Sequence, residues 1–202
     1  MRIFLAGEGK NELGGWAKPH PYCDPNEHGV LEALLRKVSA KGWEICGALL
    51  WKYRSGGGDA EKRNVLALQL AARDADADVA VFSRDTDGDQ ERERSIAEGL
   101  KEAAELFPDG PKVAGGTAVQ RLESWMLALT GALHTEQMSN AKVDESLSKI
   151  VIALKDVAAM VDLVDSADIE NLPKDAESLH RWFESVRQAL GDPIVERLRE
   201  VP

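Results

Sequence analysis

Val79-Ala80-Val81-Phe82-Ser83-Arg84-Asp85-Thr86-Asp87-Gly88-Asp89 sets carboxylates at alternate positions just beyond a short apolar run. Such a run, bounded by turn residues, reads as a buried strand, so the acids stand where that strand ends. Like charges so close together repel, and an oxygen-preferring divalent cation, Mg²⁺ or Mn²⁺, offsets the repulsion. The competing reading is an acidic surface turn in which Asp89 caps the helix that follows.

Toward the N-terminus the same pattern recurs. Arg2-Ile3-Phe4-Leu5-Ala6 reads as a buried strand and runs at once into Gly7-Glu8-Gly9-Lys10-Asn11-Glu12. In an open parallel sheet the C-terminal ends of all strands share one edge, where sites form. If both runs are parallel strands, Glu8 meets Asp85 and Asp87 although distant in sequence. A weaker, glycine-interrupted strand signal begins at Val113-Ala114, and Arg121-Leu122-Glu123 opens the helix after it. Glu123 is therefore a further acid for that edge, or a favourable charge at a helix N-terminus.

Between these points, strand and helix signals alternate. Val30, Leu31, Leu34, Leu35 and Val38 recur at helical spacing up to Gly42, and residues 45–51 read as a second strand. Ser55-Gly56-Gly57-Gly58 reads as a flexible connection to a helix ending near Asp74, and Ile96, Leu100, Ala103 and Phe107 mark another. Strand then helix, repeated, predicts an α/β fold with a parallel sheet of about four strands covered by helices on both faces. Past residue 136 no strand is evident. One helix is expected through Leu147, Ile150, Val151, Leu154 and Val161, and a second through Leu179, Trp182, Phe183 and Val186. A short third begins at Asp192-Pro193. The expected organisation is an α/β domain over residues 1–135 and a helical extension over 136–202.

The composition is that of a globular protein, with 44% hydrophobic and 30% charged residues in 202, and no apolar run of membrane-spanning length. The five uncharged residues between Arg2 and Glu8 are too few for a signal-peptide core, and two cysteines, Cys23 and Cys46, make no disulfide framework. A cytoplasmic location is the expectation. The net charge of −10 opposes free-standing nucleic-acid binding. Bound cations or a basic partner subunit would supply the missing positive charge.

Gly7-Glu8-Gly9 with Glu12, then Asp85-Thr86-Asp87-Gly88, then Glu123 follow in the order of the Toprim family, the metal-binding domain of topoisomerases, primases and several nucleases. The chain resembles that family over roughly residues 1–130. It is most similar to the stand-alone, defence-associated branch that includes the overcoming-lysogenization-defect nucleases. The resemblance implies a Toprim-like sheet and a pair of Mg²⁺ or Mn²⁺ ions. Asp85 and Asp87 would hold one ion, Glu8 and Glu123 would complete the pair or position water, and Glu12 and Asp89 are further ligands. Lys10, Arg84 and Arg121 would neutralise the scissile phosphate. The implied activity is phosphodiester hydrolysis on DNA or RNA, as the effector of a phage-defence or repair system. A protein partner or a homo-oligomer is expected with it.

Toprim domains enter a helix soon after the first Glu, and this sequence departs from the family where Gly14, Gly15, Pro19, Pro21 and Pro25 delay that helix to about His28. That segment reads as a lid or a docking surface. The cleavage tyrosine context of a topoisomerase is missing around Tyr22 and Tyr53. Gly-Glu-Gly-Lys is no P-loop, and an EF-hand fails at Gln90 and Ile96, where Gly and Glu belong. His20-x-x-Cys23 with His28 does not have standard zinc spacing. The alternatives carried forward are a metal-binding scaffold docking an ATPase, and a haloacid-dehalogenase-like phosphohydrolase, which places its paired aspartates after the first strand.

Overall fold

The computed structural model describes residues 1–19, 21–40, 42–51, 59–150 and 156–191. The connection at 55–58, Tyr53, His20, and the helix expected from Asp192 lie outside them. Four strands form one sheet: β1 (Arg2–Gly7), β2 (Glu44–Leu50), β3 (Val79–Asp85) and β4 (Lys112–Ala118), in the order β2-β1-β3-β4. Every pairing is parallel, with Ile3 opposite Val79 and Ala6 opposite Phe82. The protein is thus α/β with a four-stranded parallel sheet flanked by helices, as the alternation of signals predicts.

Side chains alternate across each strand, and the two faces have separate cores. Ile3, Leu5, Val79, Val81 and Ala114 face one side with α2 (Val30–Val38) and α5 (Leu122–Leu129). Phe4, Ala6, Ala80 and Phe82 face the other, against α3 (Ala60–Asp74) and α4 (Gln90–Leu106). Both faces are apolar, so β1 and β3 are unbroken hydrophobic runs.

The single helix expected over Leu147 to Val161 is two. α6 (Asn140–Lys149) ends at its C-cap Ile150, and α7 (Val157–Ser166) starts afresh, Asp156 accepting from Ala159 N at 3.1 Å. An Asp at this position satisfies a free helix-end donor, which competes with continuing the helix through it. Val151 and Leu154 lie outside the described residues.

α8 (Glu177–Leu190) closes the outer side of β4. Gly115 adopts φ 115°, and a Cβ there would lie 2.1 Å from Phe82 O. Trp182 Nε1 donates to that same carbonyl at 2.9 Å, and Ser185 Oγ accepts from Gly115 N at 3.0 Å. Ser185 thereby satisfies an N–H of β4 that an edge strand would leave open. Leu179, Trp182, Phe183 and Val186 belong to the same core as α2 and one face of the sheet. Buried Glu136 fixes the start of α8 by accepting from Ser178 N at 2.7 Å and Ser178 Oγ at 2.6 Å. No helix among the described residues is long and apolar enough to cross a membrane.

Candidate functional site

From β1 the chain crosses to β2 on one side and then to β3 on the other. Diverging crossovers leave a crevice at the C-terminal ends of the two strands, where open α/β sheets place their ligands. Glu8 directly follows β1, and Asp85 is the last residue of β3. A short helix, α1 (Lys10–Leu13), enters at once, so the first helix is not delayed to His28 as expected. Glu12 is buried in it and packs on Gly7, where a Cβ would sit 2.6 Å from Glu12 Cβ. Gly7 is therefore the small residue that lets α1 fold back on the strand end.

These elements bring four acids together. Burial pushes the Asp85 carboxyl up to about 8, and the charges of Glu8, Glu12 and Glu123 act in the same direction. Burial likewise pushes Glu12 up to about 7, with Glu8 and Glu123 adding to it. Asp85 Oδ1 accepts from Leu122 N at 2.8 Å, which fastens the end of β3 to the start of α5 and brings Glu123 alongside. Asp85 stands inside the strand rather than beyond it, because β3 runs three residues past Phe82.

Hard oxygen donors that raise one another's pKa are the donor chemistry Mg²⁺ and Mn²⁺ select. The set fits such an ion in type. Among the described residues, no three His, Cys, Asp or Glu side chains form a finished ligand group. Glu8 Oε1 accepts from Arg84 Nη1 and, at 3.0 Å, from Asp85 N, while Glu12 Oε2 accepts from Gly9 N at 2.9 Å. Glu8 and Glu12 are thus both held by hydrogen bonds from the protein itself.

The remaining residues named from sequence stand elsewhere. Asp87 adopts φ 51°, in a turn whose N–H groups at 86, 87 and 88 bond across to the carbonyls of Ala118, Gln120 and Val119. That left-handed step swings its carboxylate out to 59% exposure, where Arg92 Nη1 holds it at 3.1 Å. Asp89 is the N-cap of α4, accepting from Glu91 N at 3.0 Å, which is the capping alternative read from the sequence. Asp89→Ala is expected to cost about 1 kcal/mol. Urea melts with and without Mn²⁺ check this, and the Mn²⁺-induced shift should equal that of the wild type.

Lys10 pairs with Glu27 at 2.5 Å, and Arg121 pairs with Asp144 and, at 3.6 Å, with Glu123. Of the three basic residues, Arg84 and Arg121 each contact an acid of the cluster, and Lys10 is paired away from it. The zinc reading loses His28 to Glu32, whose Oε1 lies 2.6 Å from His28 Nδ1. The loop carrying it is closed by bonds from Gly15 N to Glu27 O at 2.6 Å and Asp24 N to Gly15 O at 3.3 Å.

Two residues that sequence reasoning missed complete the surroundings. Glu61, in the first turn of α3, accepts from Arg84 Nε at 3.1 Å and Nη2 at 2.8 Å through one oxygen. Its other oxygen accepts from Trp51 Nε1 at 2.5 Å and Asn64 Nδ2 at 3.3 Å. Burial acts to raise the Glu61 carboxyl, but the bonds from Arg84 and Trp51 outweigh it and hold it below its ordinary value. Arg92, in the first turn of α4, donates to Asp85 O at 2.9 Å. A basic side chain at a helix N-terminus opposes the helix dipole, and that mismatch was its one signal in the sequence. Comparison with known proteins gives no matching family model, no matching curated protein and no matching solved structure.

Proposed function

We propose that the chain is a Toprim-like nuclease that hydrolyses phosphodiesters of DNA or RNA with Mg²⁺ or Mn²⁺. The observation that carries the reading is the convergence of Glu8, Glu12, Asp85 and Glu123 at the switch point of the sheet, with two of the four pushed toward neutrality. Such an environment stores charge repulsion that a cation relieves. Asp85, Glu12, Glu8 and Glu123 would hold the ion; Asp87 and Asp89 serve the turn and the helix cap. When bound, the ion supplies Lewis-acid stabilisation of charge on a phosphate oxygen. The protein's own part is to fix the donors. The Leu122 N–H orients Asp85, the Gly9 N–H orients Glu12, and Arg84 steadies Glu8 until it is engaged.

The acidic surface makes a partner with a basic face part of the proposal, and a cytoplasmic defence or repair complex is the setting it suits. The test is incubation of the purified protein with plasmid, single-stranded DNA and RNA in Mn²⁺, beside Asp85→Asn. Cleavage that disappears in the variant is the expected result. Cleavage that survives in Asp85→Asn, or none on any of the substrates, alone or with the products of neighbouring genes, overturns the reading.

A further inference from the structure

Beside the acid cluster, on the α3 and α4 side of the sheet, lies a pocket of about 260 Å³ lined by Glu8, Trp51, Glu61, Asn64, Arg84 and Arg92 among others. It contains two guanidinium groups at the end of β3 and the start of α4, both mostly withdrawn from solvent: their side chains are 12% and 25% exposed. Arginine is the side chain suited to planar, multi-donor recognition of phosphate, and burial strengthens such contacts. Arg84 spends three nitrogens on Glu8 and Glu61. Arg92 uses Nη1 on Asp85 O and Asp87 and sets Nε 3.5 Å from Glu61. Among the described residues its Nη2 has no hydrogen-bond partner.

The balance of charge in this pocket depends on Glu8. With Glu8 turned to Arg84, three carboxylates (Glu8, Glu61 and Asp87) face two guanidiniums. A cation at the acid cluster would take Glu8 as a ligand, while Asp87, 59% exposed, stays paired with Arg92. What remains is Arg84 and Arg92 against Glu61 and the outward-facing Asp87, so the pocket goes from a net negative charge to none, with the positive charge of the cation beside it.

We propose that this pocket is a subsite for a phosphate group of a nucleic-acid strand, with Arg84 and Arg92 as its donors, and that Glu8 couples it to the cation by releasing Arg84. The inference rests on the nuclease reading and extends it from cation to substrate. It makes Glu61 a positioning residue that holds Arg84 in the pocket, and it orders events: cation first, strand second.

The experiment is fluorescence anisotropy with a short phosphorothioate-protected single strand in Mg²⁺, at several salt concentrations, on the full chain. Arg92→Gln should weaken binding about tenfold and lower the salt slope by about one. Arg92→Lys should keep the slope. The control is Arg2→Gln, the same charge change at the opposite edge of the sheet, where Arg2 pairs with Asp76 at 2.9 Å; it should change affinity less than twofold. In the absence of any divalent cation, Glu8→Gln should tighten binding several-fold. Strands with a 5′-phosphate and a 5′-hydroxyl separate the sources: equal binding assigns a backbone phosphate, and a preference for the former assigns a terminal one. Equal losses in Arg92→Gln and Arg2→Gln, or a cation-free affinity unmoved by Glu8→Gln, overturn the subsite. Asp85-dependent cleavage alongside that result leaves the nuclease reading standing. Arg92-specific binding without cleavage does the reverse.

Discussion

Trp182→Ala is expected to lower the unfolding free energy by about 4 kcal/mol, a large part of the ~5–15 kcal/mol that stabilises a typical domain. Trp182 is fully buried, its ring lies 5.5 Å from Phe183 and 6.1 Å from Trp125, and its Nε1 donates to Phe82 O at 2.9 Å. Truncation removes that packing together with the bond to the Phe82 carbonyl of β3. Trp182→Phe keeps most of the apolar volume and loses the hydrogen bond, so its cost should be smaller, about 2 kcal/mol. Urea denaturation of both variants measures the two parts. A loss below 1 kcal/mol in Trp182→Ala would show that α8 does not close the sheet.

Without divalent cations, raising the pH should destabilise the protein through the acid cluster. The ordinary values are 3.8 for Asp85 and 4.5 for Glu12, and in the fold they move up to about 8 and about 7. Between the unfolded and folded values, the folded protein holds protons that the unfolded chain has released. Unfolding free energy therefore falls as pH rises through that interval and levels off above the folded values. The expected loss from about pH 4 to about pH 8 is several kcal/mol. Asp85→Asn removes the most shifted group and relieves Glu12 of one neighbouring charge only if Asp85 is ionised, so its stability curve should be flatter across the same interval. At pH 8, Mn²⁺ at a hundredfold over its dissociation constant should return about 2.7 kcal/mol to the wild type and much less to the variant. Thermal melts across pH, with and without Mn²⁺, read both effects. Parallel curves for the two proteins would remove Asp85 from the centre of the cluster.

Much of the architecture was legible in the residues. The apolar runs at 3–6 and 79–82 are buried on both faces, as strands in the middle of a parallel sheet must be, and helical periodicity marked α2, α4 and α8. The site was partly legible. Glu8, Glu12, Asp85 and Glu123 converge because each lies at or near the C-terminal end of a strand or the start of the helix after it, and parallel strands bring those ends to one edge. The break between α6 and α7 was missed because Asp156 can face solvent in a continuing helix or cap a new one, and local periodicity does not distinguish the two.

By itself, then, the sequence determined which strands are buried and which acids stand at their ends, since both follow from hydrophobic period and strand polarity. The tertiary structure alone decided how those acids are used. Asp85 and Asp87 are two residues apart, yet one is drawn into the cluster by the Leu122 N–H and the other is swung out to Arg92 by a left-handed turn. Glu61 and Arg92 come from helices packed on the far face of the sheet, and their meeting with Arg84 depends on how α3 and α4 pack there. Strand polarity is local chemistry. The direction of a carboxylate and the company of a guanidinium are set by contacts between elements distant in the chain.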